Sequence, residues 1–194
     1  MRRGSPLLLT VALLGGCASV QVPPNVQLFQ RGDGAGMIEA IDFSYIPEKL
    51  PEFGKLKLCV AQSVQNDSTV LHGGKTIYTP FGTVTGRESD VVGGGSVFKY
   101  IDDEHQQLVA SGTASGGTDP LGIVSYKIRY QLQAGLQGGS VQLRFSDIKQ
   151  AATDSGTMEN SGFTPVGTWA GGRAMKVYSA VQMEAENVKA CVAR

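Results

Sequence analysis

The segment IVSYKIRYQLQA, residues 123–134, constrains the fold more than any other part of the chain. Val124, Tyr126, Ile128, Tyr130, Leu132 and Ala134 fall on one side of an extended backbone. Ser125, Lys127, Arg129, Gln131 and Gln133 fall on the other. A period of two is the spacing of a strand with one face against a core and one face toward solvent. The segment SVQLRFSDI then brings Val141, Leu143 and Phe145 to one side. The Gly135–Gly139 stretch between the two predicts an antiparallel hairpin. A sheet with one apolar face needs a cover. The last segment, GGRAMKVYSAVQMEAENVKACVAR, supplies it: Ala174, Val177, Tyr178, Val181, Ala185, Val188 and Cys191 recur at helical spacing. The fold class this implies is α+β, an antiparallel β-meander covered by a C-terminal amphipathic helix.

Other segments fill in the meander. KLKLCVAQSV, from Lys55, alternates and reads as a strand that places Cys59 on the lysine side, opposite the leucines. KTIYTPFGTVTG is rich in β-formers, and Pro80 suits an edge or a bend. GGGSVFKYIDDEHQQLVASGTASGG reads as a hairpin turning at Asp102-Asp103-Glu104-His105. Residues 151–172 read as a long loop carrying the only tryptophan, Trp169, which is expected as a lid over the edge of the core, with a place on a partner surface as the alternative. Pro47 and Pro51 forbid a long helix before residue 53, which leaves a short strand and a turn. The strand rhythm of residues 95–192, with its glycines and closing helix, loosely resembles that of uncharacterised bacterial lipoproteins with a TBP-like β-sheet domain. The resemblance implies a fold and brings no activity.

The N-terminus has a different character. Arg2 and Arg3 precede an apolar run, Pro6–Leu14, far shorter than the roughly 20 residues a spanning helix requires. A basic start, a brief apolar core and small residues before a cut form the layout of a secretory signal peptide. Leu14-Gly15-Gly16-Cys17 resembles the lipobox of bacterial lipoproteins. That resemblance implies a diacylglyceryl thioether on Cys17, cleavage between Gly16 and Cys17, and acylation such as palmitate on the new amino group. Ala18, where an inner-membrane retention signal would place Asp, implies the outer membrane. The expected organisation is a signal peptide over 1–16, a lipidated N-terminus and flexible tether over 17–36, and one globular domain over 37–194.

With Cys17 acylated, two of the three cysteines remain, Cys59 and Cys191. An even remainder in an exported chain predicts a disulfide between them. The 17 basic and 17 acidic residues balance, and cleavage after Gly16 would remove two arginines and no carboxylate. That slight acidic excess argues against nucleic acid as a partner.

No catalytic, cofactor or metal motif emerges. His72-Gly73-Gly74-Lys75-Thr76 ends like a phosphate loop, but Thr69 stands where a glycine is required, and the stretch reads as a turn. His72 and His105 lie far apart, and His105 beside three acids reads as a solvated hairpin tip. A serine–histidine pair assembled from distant residues is left open. The polar face of the best strand, with Lys127, Arg129 and its glutamines, reads first as a solvated sheet face; left uncovered, it is the surface that could bind a partner or a glycan. The sequence thus leads to the expectation of a non-enzymatic, lipid-anchored envelope protein at the outer membrane, facing the periplasm or the cell surface. Its expected partners are the membrane, through the lipid, and an envelope protein or cell-wall component. Two alternatives are a membrane-tethered hydrolase of wall or glycan material, and a subunit of a secretion or assembly complex.

Overall fold

The computed structural model describes residues 20–32, 36–119 and 121–194. In chain order its elements are β1 (Val26–Gln30), β2 (Gly36–Tyr45), α1 (Phe53–Ser63), β3 (Ser68–Thr79), β4 (Gly82–Gly93) and β5 (Phe98–Asp102). They continue with β6 (Gln107–Thr118), β7 (Ser125–Gln137), β8 (Ser140–Ala152), β9 (Thr164–Pro165) and α2 (Ala174–Val192). The main sheet runs β1-β2-β8-β7-β6-β5, with β9 added beside β8, while β3 and β4 form a separate two-stranded arm. The fold is α+β: a β5–β8 meander, extended by β2 and β1, with both helices on one face.

The β7–β8 hairpin turns on Gly138 and Gly139, with φ of 58° and 76°. Gln137 faces Ser140 across them, so the turn is narrower than Gly135–Gly139. Two consecutive left-handed residues are what a two-residue hairpin needs, and glycine adopts them without a steric penalty. Ile128, Leu132, Val141 and Phe145 are fully buried on the helix side, as the alternation predicts. At Asp147 (φ 47°) β8 carries an extra residue opposite Tyr130, so that Phe145 and Ile148 both join the core.

KLKLCVAQSV is a helix, not a strand. Leu56 and Leu58 satisfy a period of two, but Phe53, Leu56, Cys59 and Val60 satisfy helical spacing and are the buried set, while Leu58 points outward. Lys, Leu, Ala and Gln are all good helix formers, and tertiary burial selects the 3.6 period. This removes the difficulty of Cys59 on the lysine side. Cys59 on α1 and Cys191 on α2 are bridged, with Sγ–Sγ 2.09 Å and Cα–Cα 5.5 Å.

Two further expectations change. Within the segment expected as tether, Val26–Gln30 is β1, paired antiparallel to β2, and Val26 packs on the core. Five residues between a Pro pair and a glycine cluster are too few to show a period. Trp169 is 41% exposed and lies with its indole over Gly167, outside the core it was expected to edge.

Candidate functional site

The face of the sheet opposite the helices is the surface that the sequence singled out, and its centre is a polar network. Asp42 on β2 and Arg144 on β8 face each other in register, and Arg144 Nη1 donates to both carboxylate oxygens at 3.0 Å. Arg144 Nη2 donates to Gln27 Oε1 at 2.9 Å, and Gln27 Nε2 returns a bond to Asp42 Oδ2 at 2.7 Å. Gln133 donates to Gln107 at 3.3 Å, and Gln142 donates to Ser44 and Ser140 at 2.8 Å each. A groove of about 220 Å³ runs among Asp42, Gln107, Gln133, Gln142 and Arg144. Its amides and ion pair can exchange their mutual bonds for those of a polar ligand, which is binding chemistry.

Lys127 and Arg129 are half-buried. The Arg129 guanidinium lies 5.0 Å from the Phe163 ring centroid, a cation–π contact. It lines a cavity of about 190 Å³ with Asn66, Lys99, Gln131 and Asp147. Sequence reasoning placed Arg129 correctly but missed Gln27, Asp42 and Arg144. Their network joins residues 15 to 117 positions apart, and no local period encodes it.

His72 and His105 stay apart, and a turn at His72–Thr76 is not what forms. That stretch lies inside β3, where Gly73 and Gly74 let residues 153–160 lie against the strand. Gly74 N donates to Met158 O at 2.8 Å, and a Cβ at Gly74 would strike the backbone of Thr157. Across the arm, His72 Nδ1 lies 2.7 Å from Ser89 Oγ. The structure thus brings a serine to a histidine, on an exposed strand pair. Among the described residues the imidazole has no carboxylate partner of the kind that orients a catalytic base. His105 sits at the tip of the β5–β6 hairpin with Nδ1 2.9 Å from Asp102 Oδ2. The His105 backbone N–H, then its imidazole, hold the Asp102 carboxyl below its ordinary value. No cluster of three or more metal-ligating side chains occurs among the described residues. Gly16 and Cys17 lie outside the described residues.

Among the described residues, the unpartnered buried polar atoms include Tyr130 Oη on β7 and Glu184 Oε2 on α2, both on the helix side. Burial, then the Glu184 charge, push the Tyr130 hydroxyl up, and burial raises the Glu184 carboxyl above 4.5. The native state therefore keeps the Glu184 proton at pH values where the unfolded chain has released it. The stability this group contributes is complete below about 4.5 and falls as pH rises through the raised native value. Glu184→Gln is expected to flatten that fall. Thermal melts across pH should show a higher midpoint than wild type at neutral pH and no difference below the ordinary glutamate range.

No family model matches the chain, and no curated protein matches it. Among solved structures it is similar to a DUF4468 family protein from Bacteroides ovatus ATCC 8483, with a TM-score of 0.47 and 9% identity. The alignment covers 88% of this chain and 92% of that one. Among the described residues no helix is long and apolar enough to cross a membrane.

Proposed function

We propose that this chain is a lipid-anchored protein of the bacterial cell envelope, tied to the outer membrane through Cys17, whose domain acts by binding. The observation that carries this reading is Leu14-Gly15-Gly16-Cys17 at the end of a short apolar run, three positions before the first described residue, Val20. The Cys59–Cys191 bridge supports it, because such bonds persist in oxidising compartments outside the cytosol. A diacylglyceryl group with a third acyl chain meets the two-chain requirement for stable attachment. The polar groove around Asp42 and Arg144 is the binding surface, suited by its amides and paired charges to a polar partner such as an envelope protein or wall component.

Growth with a fatty-acid analogue tests the anchor. The wild-type chain is expected to take up label and sediment with membranes. Cys17→Ser should lose all label and leave the membrane fraction. Label retained by Cys17→Ser would overturn the proposal.

A further inference from the structure

Val20 is already part of the fold: its backbone N–H donates to Thr168 O at 2.6 Å, and Thr168 N donates to Gly36 O at 3.0 Å at the start of β2. Three Cα–Cα steps separate Val20 from Cys17, so a lipid on Cys17 would hold Val20 within about 11 Å of the bilayer. The domain thus has a near end. Because β2 is antiparallel to β8, the start of β2 lies at the end of the sheet where β8 finishes, β7 begins and β6 finishes.

That end gathers exposed apolar side chains. Leu121 and Ile123 in the β6–β7 connection are 78% and 76% exposed, and Met158 and Trp169 stand out from the loop after β8. Thr85 and Arg87 of β4 border a cleft of about 730 Å³ with Ile123, Ala152 and Met158. The arm therefore passes this end, and its tip lies further out. From Thr76 to Thr85 the tip reads TIYTPFGTVT, ten residues without a charge, with Phe81 fully exposed and Tyr78 85% exposed. The nearest charges behind it are engaged with other groups: Lys75 with Glu88 at 2.8 Å, and Arg87 with Asp154. The opposite end carries Asp102, Asp103 and Glu104 in the β5–β6 turn.

We infer that the arm tip, residues 77–84, and the end bearing Trp169 and Ile123 seat on the lipid bilayer as a second, non-covalent membrane contact. The inference rests on the Cys17 anchor, which puts this end beside lipid. Aromatic rings with polar handles suit the membrane–water interface. A two-stranded arm has unpaired backbone groups along both edges, and these are costly in hydrocarbon. Those edges limit the tip to the headgroup and upper acyl region. The contact also fixes orientation, turning the polar groove on the sheet face sideways and open to partners.

Trp169, the only tryptophan, reports on the contact directly. The lipidated full chain is purified from envelopes and placed in phosphatidylethanolamine–phosphatidylglycerol vesicles with or without brominated acyl chains, and its intact mass records the acyl group. Probes come from Phe81→Trp and from Ile46→Trp, the latter at the far end, each in a Trp169→Phe background. Emission from Trp169 and from the position-81 probe is expected to fall about twofold, as for rings roughly 5–10 Å deep. The position-46 probe should be unaffected. No quenching at 169 and 81, with the acyl mass present, would overturn this inference and leave the anchor standing. Equal quenching at 46 and 81 would also overturn it. A chain without the acyl mass would overturn both readings. A position-81 probe shielded from aqueous acrylamide in native envelopes, yet unquenched by bromolipid, would assign the arm to a protein partner instead.

Discussion

Removing the bridge by Cys59→Ala with Cys191→Ala is expected to destabilise the domain by about 5 kcal/mol, the chain-entropy value for a loop of 132 residues. A domain of this size should then melt about 10–20 °C lower. Total stabilities run to about 5–15 kcal/mol, so the doubly substituted chain would retain little margin. Urea or thermal unfolding with and without a thiol reductant checks this. Reduced wild type should fall to the level of the double variant, and the double variant should not respond to reductant. Identical midpoints for oxidised and reduced wild type would show that the bridge contributes nothing.

Phe145→Ala is the second large effect. Phe145 is fully buried on β8, near the middle of the sheet. It meets the Phe43 ring edge-on at 5.9 Å and the Tyr130 ring at 5.1 Å. Strands β2, β7 and β8 thus share one aromatic contact, and truncation leaves a cavity that their paired backbones hold open. The expected cost is about 3–5 kcal/mol, with a smaller loss for Phe145→Leu, read from urea midpoints at unchanged slope. A cost near zero would mean that the sheet collapses around the missing ring.

The elements legible in the sequence were those in which one period had no rival. In β7 and α2 the buried residues, apart from Gly135, Leu136 and Val192 at the element ends, are ones the spacing selects, because each element has one apolar and one polar face. The short segment of α1 fitted two periods at once, and the choice between them lies in α2, more than a hundred residues away. For the β3–β4 arm, β-propensity was visible but not its detachment from the sheet. Its outer half buries neither face, so alternation there carries no information about packing. On the candidate site, cysteine parity indicated Cys59 and Cys191. The Asp42–Arg144–Gln27 network depended on which strands become neighbours, a property of topology and not of any local stretch.

The α1–α2 bridge divides the chain into two mechanical classes. Everything from Cys59 to Cys191, including β3 through β9, lies inside a closed covalent ring, whereas β1 and β2 lie outside it. Tension applied at the N-terminal end first meets the hydrogen bonds of an edge strand, which can open one pair at a time. Past Cys59 it meets a covalent loop that shortens how far the chain can extend. A protein tugged from that side would unravel only to a fixed stop, and its meander would survive loads that strip away the first two strands.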